Sequence, residues 1–365
     1  MTSAGYRARV PDASHVLDLP GLDVGRLRQC LRDRGLPSQV TAAELVPGGR
    51  SNLTYFLQVR DGADVRHWVL RRPPLGHVLQ SAHDMGREHT VQSALAGTAV
   101  PVPSMVALCE DVTVLGSPFY LMDRVPGRVV RSREDAVAVG APGLEQAGYA
   151  LVDVLAALHA LNPGEVGLTD FGRAHGYLGR QVRRWVQQLE RSRSRDLTGM
   201  DELAAALAGT VPAESGAPHR QGIVHGDYRL DNAILHPERP QVLAVLDWEM
   251  ATLGDPLADV GLLLTYAGGL GGRTNPIAES MSPALGWPRS PDLVHRYADA
   301  AGLDESDLQA LAWCTALGHF KLAVILEGIH YRYSQGQTVG SGFDTIGVMV
   351  EPLVAGGLRA LDPHP

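Results

Sequence analysis

Apolar residues recur with helical spacing over residues 24–36, where Leu27, Cys30 and Leu31 share one face and arginines line the other. Strands are predicted at 43–46 and 53–59, on either side of a glycine turn at Gly48 and Gly49. A further strand at 65–71 stops at Pro73 and Pro74. Residues 81–95 read as a helix because Met85, Glu88, Val91 and Leu95 fall at helical spacing. Alternating valine and proline at 100–103 breaks it, and short apolar strands follow at 106–109 and 119–122. Residues 40–122 are thus strand-rich around one helix.

The pattern changes at the connector 123–127. Helices are predicted at 144–160 and 177–194, then a strand at 222–224 and a hairpin of 232–235 with 241–246. Residues 256–266 form another helix, and 304–333 form one or two long ones. Between them, 267–291 is rich in Gly, Pro and Ser and reads as a mobile loop. The order implies an α+β chain: an N-terminal lobe of 1–122 with a leading helix, a hinge of 123–127 and a larger, mainly helical lobe of 128–365.

The chemistry concentrates in one segment, I-V-H-G-D-Y-R-L-D-N-A-I-L, which contains H-x-D-x-x-x-x-N as His225, Asp227 and Asn232. Fifteen residues after Asn232, Asp247 follows an apolar strand. Phosphoryl transfer needs a carboxylate to orient or deprotonate the attacking hydroxyl. It also needs an amide oxygen and a second carboxylate to hold Mg²⁺ against the phosphates. A hairpin between Asn232 and Asp247 brings the two metal-ligand candidates to one edge and leaves Asp227 for the acceptor. The competing reading makes Asp227 and Asn232 turn caps and Asp247 a helix cap.

The motifs H-G-D-Y-R-L-D-N and L-D-W-E-M-A-T-L-G-D-P-L-A-D resemble the two signatures of the aminoglycoside phosphotransferase, or kinase-like phosphotransferase, family. The resemblance spans roughly residues 40–345. Through G-G-R-S-N-L-T-Y, W-V-L-R-R-P-P and F-K-L-A-V-I-L-E-G-I-H-Y-R-Y it extends to the subgroup fused to animal acyl-CoA dehydrogenases. It implies a protein-kinase-like two-lobed fold, with ATP and Mg²⁺ as cofactors. Asp227 is then the base, His225 a support of its loop, and Asn232 and Asp247 the metal ligands. Asp259 resembles the helix aspartate that ties down the catalytic loop, although a first-turn acid of its helix fits equally well. Asp255 reads as the N-cap. Gly48, Gly49, Ser51 and Asn52 take the place of the phosphate-covering turn. Main-chain groups of Asp123 and Val125 take the place of the hinge that meets adenine.

Composition adds one departure. Of 32 basic residues a single one is lysine, Lys321, so a lysine-bearing phosphate loop is impossible. Codon bias accounts for the scarcity. Kinases place a lysine on the third strand, paired with a helix glutamate; here that strand offers Arg71 and Arg72. Alternation sends only one inward, and the reading selects Arg71 as phosphate ligand with Glu88 as its partner. Lys321 is expected to extend its stem along apolar neighbours to solvent. Arg191, Arg193 and Arg195 read as a solvated helix end or loop.

The net charge of −8 speaks against a nucleic-acid partner. Three scattered cysteines and the lack of an apolar leader suggest a cytoplasmic protein. The apolar run near 260–270 is too short to span a bilayer, so no membrane partner is expected. Five basic and eight acidic residues over 261–345 form no dense carboxylate cluster for a polycationic acceptor. The reading is transfer of the ATP γ-phosphate to a small-molecule hydroxyl, such as a hydroxyacyl-CoA or related metabolite. Two alternatives stay open: a nucleotide-binding pseudokinase and an aminoglycoside O-phosphotransferase.

Overall fold

A computed structural model describes residues 18–47, 52–75, 84–213, 218–268, 278–336 and 346–362. These divide into two compact units. One comprises the described residues up to Ala96 together with Pro103–Pro126; the other comprises Gly97–Val102 and the chain from Gly127 onward.

The first unit opens with a two-residue pair, β1 (Asp18–Leu19) and β2 (Leu22–Asp23), and helix α1 (Val24–Asp33). Its body is an antiparallel sheet of β3 (Gln39–Leu45), β4 (Leu53–Asp61), β5 (Asp64–Arg72), β6 (Met105–Cys109) and β7 (Phe119–Asp123), in the order β3-β4-β5-β7-β6. Helix α2 (Met85–Leu95) and the short α3 (Val112–Leu115) complete it. Alternation along β5 sorts its side chains between two faces. Trp68 and Leu70 join the cluster around Leu27, Leu31, Tyr55 and Leu57. Val69 joins Met85, Tyr120 and Met122 on the α2 side.

Arg72 follows Leu70 to the first face, where it is buried and donates to the carbonyls of Gly21 and Leu115. Arg71 follows Val69 to the α2 face. The observed α2 starts at Met85, capped by the Asp84 carboxylate, which accepts from the Arg87 N–H. The predicted extension to residue 81 lies outside the described residues.

The second unit begins with α4 (Arg133–Val139), α5 (Ala141–His159), α6 (Tyr177–Ser192) and α7 (Met200–Gly209). Four short strands follow as two antiparallel pairs: β8 (Gly222–Val224) with β11 (Thr252–Gly254), and β9 (Ala233–Leu235) with β10 (Val242–Val245). Then come α8 (Leu257–Ala267), α9 (Ser290–Ala301), α10 (Leu311–Ser334) and α11 (Val350–Leu361). The segment read as loop over 267–291 is only partly so: 3₁₀ turns occupy Glu279–Met281 and Pro283–Leu285, and α9 starts at Ser290. Residues 269–277 lie outside the described residues.

Helices α8 and α10 cross at glycines. A Cβ on Gly261 would lie 2.4 Å from the Cys314 carbonyl carbon, and one on Gly318 would lie 2.6 Å from Thr265 Oγ1. Only glycine permits so close an approach. Helix α10 is long and apolar enough to cross a membrane by length and composition, but most of that stretch is buried inside its own unit. The apolar run read from sequence near 260–270 is therefore not the one that meets this criterion; α10 is.

Arg195 is exposed in the loop after α6, and its Nη2 also lies 3.1 Å from the buried Glu327 carboxylate and donates to the Gly347 carbonyl. One further expectation is corrected. Lys321 does not reach solvent. It is buried, and its ammonium donates to the backbone carbonyl of Gly226. Helix α10, which carries it, packs closely against α8 at Gly261 and Gly318.

Candidate active site

In the first unit the polar centre is Glu88, fully buried on α2. Arg71 Nη1 lies 3.4 Å from its Oε2, and the Tyr120 hydroxyl donates to the same oxygen at 2.9 Å. Asn52 Nδ2 donates to Oε1 at 3.2 Å. A buried carboxylate with several donors is held in one rotamer, and it holds Arg71 in turn. Burial is the largest influence on the Tyr120 hydroxyl and pushes its pKa far up, so the phenol stays a donor. One N–H of the Asn52 amide is thereby committed to Glu88. Gly48, Gly49 and Ser51 lie outside the described residues.

The backbone after β7 is partly used. The Asp123 N–H donates to the Ser104 carbonyl at 2.8 Å, and the Arg124 N–H donates to the His67 carbonyl at 2.9 Å. The Asp123 N–H is therefore committed within its own unit.

In the second unit β8 runs into His225-Gly226-Asp227. Asp259, buried in the first turn of α8, accepts from the N–H groups of His225 at 2.6 Å and Gly226 at 2.8 Å. Asp259 is a first-turn acid of its helix, and these contacts tie it to the loop backbone as well. His159 Nε2 lies 3.4 Å away on the same carboxylate. Burial opposes ionisation of Asp259; the hydrogen bond and charge of His159 and the bond from Gly226 outweigh it and hold the pKa below the usual range. Asp255 does cap: its Oδ1 accepts from the Leu257 N–H at 3.1 Å, while Oδ2 takes Arg220 Nε at 2.8 Å.

His225 is buried and its Nε2 lies 2.9 Å from the Leu246 carbonyl. Its Nδ1 accepts from the Asp227 N–H at 3.2 Å. Both ring nitrogens are occupied by backbone, so His225 supports the loop and has no nitrogen left for a reacting group. The Asp227 carboxylate accepts from the Tyr266 hydroxyl at 2.7 Å and from Asn232 Nδ2 at 3.1 Å, and Arg229 Nε lies 3.6 Å away. Burial would raise its pKa; Arg229, Lys321 and the Tyr266 hydroxyl together prevail and lower it. The carboxylate is ionised at neutral pH. Its side chain keeps 25% of its surface open, enough for a hydroxyl to approach.

The hairpin joins Asn232 to the Asp247 neighbourhood directly, through a 2.8 Å bond from the Leu246 N–H to the Asn232 carbonyl. Asn232 uses its amide nitrogen on Asp227, which leaves Oδ1 to act as a ligand. Asp247 is left-handed at φ 65°, alone among the described non-glycine residues. Such a conformation is costly for an aspartate and is characteristic of functional positions. One amide oxygen and one carboxylate suit Mg²⁺, which binds one or two protein carboxylates and takes its other ligands from phosphates and water. No cluster of three or more His, Cys, Asp or Glu is present among the described residues, so a cage made wholly by such side chains is not what this site offers.

Sequence reasoning missed Tyr266 and Lys321 as neighbours of the motif. Tyr266 falls about two turns after Asp259 on α8, but an apolar helix gave no reason to single it out.

A family model described as the phosphotransferase enzyme family matches residues 42–314. The chain belongs to this family. The acyl-CoA dehydrogenase family member 11 of Gallus gallus is 33% identical over 357 residues, which cover 96% of this chain and 45% of that protein. The human protein of the same name is 35% identical over 315 residues, covering 85% of this chain and 39% of its own length. The chain thus spans less than half of these relatives. Among solved structures, one from Ralstonia eutropha, described as belonging with the aminoglycoside phosphotransferases, is 33% identical with a TM-score of 0.76, covering 93% of this chain and 98% of that one. The macrolide 2'-phosphotransferase MphH of Brachybacterium faecium, at 18% identity and a TM-score of 0.55 over 93% of this chain and 98% of its own, shares the fold. The kinase-like fold and the small-molecule phosphotransferase class both follow from this membership.

Proposed function

We propose that this phosphotransferase moves the γ-phosphate of ATP to a hydroxyl of a small molecule, with Asp227 as the base. The carrying observation is the state of Asp227: an ionised, partly open carboxylate whose peptide and side chain are both fixed. The acceptor hydroxyl donates to it and passes its proton there as the new O–P bond forms and the bond to the β-phosphate oxygen breaks. Asn232 Oδ1 and Asp247 would hold Mg²⁺, which neutralises phosphate charge when bound. Arg71, fixed by Glu88, grips phosphate oxygens through a planar fork in place of the usual lysine. Adenine presents a donor and an acceptor on one edge, which suits the Asp123 carbonyl and the Val125 N–H two residues on. Two solved proteins of related fold, an ADP-bound aminoglycoside phosphotransferase and a GDP-bound one, support a purine nucleotide as donor.

The acceptor we favour is a hydroxyacyl-CoA or a related alcohol. It is supported by the name shared by the relatives, acyl-CoA dehydrogenase family members. Aminoglycosides are the second reading, supported by the description of the Ralstonia eutropha structure. Against them, the Arg229 guanidinium beside Asp227 opposes a polyamine. The test is a mass-spectrometric screen with ATP and Mg²⁺ over hydroxyacyl-CoA, sugar, aminoglycoside and amino-alcohol acceptors. Phosphorylated hydroxyacyl-CoA is expected. Product from aminoglycosides alone would replace the favoured acceptor, and ATP binding without product from any class would indicate a pseudokinase.

A further inference from the structure

The one lysine of the chain helps to keep Asp227 ionised, and it is also buried in direct contact with the loop that carries Asp227. The carbonyl oxygen that accepts from Lys321 Nζ belongs to Gly226, so it lies in the peptide plane whose nitrogen is that of Asp227. The other end of that plane, the Asp227 N–H, donates to His225 Nδ1. The preceding two N–H groups are held by Asp259. Lys321 thus adds a cationic donor to an otherwise acceptor-based set of restraints, and it reaches in from α10, while Asp259 reaches in from α8.

The ammonium also has packing of its own. Nζ lies 3.8 Å from Met250 Sδ and 5.5 Å from the centre of the Trp185 ring. Gly226 is left-handed at φ 83°, and a Cβ there would meet the Met250 carbonyl at 2.8 Å, so only glycine fits the position and its backbone depends on outside contacts to be held. Without Lys321, the Gly226 carbonyl would lose its buried donor and the plane could rotate about its two flanking bonds. That rotation changes the ψ of Gly226 and the φ of Asp227, so the backbone from which the Asp227 side chain springs is no longer fixed.

We propose that Lys321 is a positioning residue for Asp227, holding the 226–227 peptide plane so that the carboxylate meets the acceptor hydroxyl. The proposal rests on the reading of Asp227 as the base. It makes a solitary lysine on a distant helix part of the phosphotransfer machinery without any contact to phosphate.

The test compares Lys321→Met, Lys321→Arg and Asp227→Asn in the full chain. Turnover of Mg²⁺-ATP is followed with water as acceptor, and amide hydrogen exchange is followed over residues 223–230. Lys321→Met is expected to lower kcat by about 10- to 100-fold, the range for losing one charged hydrogen bond. KM for ATP should be unchanged, and exchange over 223–230 should accelerate. Lys321→Arg, which keeps a charged donor, should recover part of kcat and slow the exchange again. Wild-type kcat and wild-type exchange in Lys321→Met, with Asp227→Asn inactive, would overturn the positioning role and leave the base standing. A fall in kcat that only tracks loss of folded protein, with arginine no better than methionine, would also overturn it. Turnover surviving in Asp227→Asn would remove the base beneath the proposal. The exchange result decides even where turnover with water is too slow to measure.

Discussion

Glu88 and Asp259 are both buried carboxylates, one in each compact unit, and they do opposite kinds of work. Glu88 binds side chains: Arg71, Tyr120 and Asn52. Asp259 binds chiefly main chain, the N–H groups of His225 and Gly226, with His159 as its one side-chain neighbour in hydrogen-bond range. The first arrangement places a long flexible cation that a regular strand already aims inward. The second places a loop whose backbone has no ladder to hold it. A strand side chain needs only a partner for its tip, whereas an irregular catalytic loop needs each peptide restrained separately. That is why the second unit recruits Asp259, His225 and Lys321 around three residues, and the first manages with one glutamate.

This contrast can be broken at several points. Asp259→Ala should have the largest effect, because it leaves two buried N–H groups and His159 without their acceptor. A loss of about 3 kcal/mol or more in denaturant unfolding is expected, together with loss of phosphate transfer. An Asp259→Ala protein with wild-type stability would show that the loop is held elsewhere. Arg71→Ala should weaken ATP binding in titration calorimetry by about 10- to 100-fold, the range for one charge-assisted contact. Arg72→Ala sharpens the face assignment. It should lower stability by about 1–3 kcal/mol, because the Gly21 and Leu115 carbonyls lose their donor, and should leave the ATP affinity alone. The reverse pattern would exchange the roles of the two arginines.

A smaller effect is expected from His319 on α10. Burial is the main cause of its lowered pKa, about 4 against an ordinary 6.5, and Nδ1 has no partner among the described residues. The folded state therefore resists protonation that the unfolded state accepts. Stability should fall as pH drops from about 6.5 towards 4, by up to about 3 kcal/mol, and level off below. His319→Gln should flatten that part of the pH–stability curve. An unchanged curve would mean that His319 titrates normally.

The difference between the two carboxylates also explains what could be read from sequence. Period-two alternation along β5 separates Arg71 from Arg72, and helical spacing puts Glu88 on the buried side of α2, so that pair was legible. The spacing of Asp227, Asn232 and Asp247 was legible as chemistry because a hairpin of known length joins them. Lys321 was not. Its contact crosses 95 positions of sequence and depends on Gly261 and Gly318 letting two helices close up, which no local pattern reports. Tyr266 was hidden for the same reason, being a polar tip on an otherwise apolar helix. Helix α9 was missed because Pro291 read as the end of a Gly/Pro-rich loop. It sits instead in the first turn, where its missing N–H costs nothing. Helices α4, α7 and α11 went unassigned.

The central claim is that Asp227 receives the proton of the attacking hydroxyl. It is tested most directly by measuring phosphate transfer and ATP affinity in the same Asp227→Asn preparation, with the amide keeping the size and the acceptor oxygen of the original side chain. Loss of a general base is expected to lower kcat by about 100- to 10,000-fold, with calorimetric ATP binding preserved. Transfer at the wild-type rate in that variant, to water or to any acceptor the screen identifies, would contradict the account.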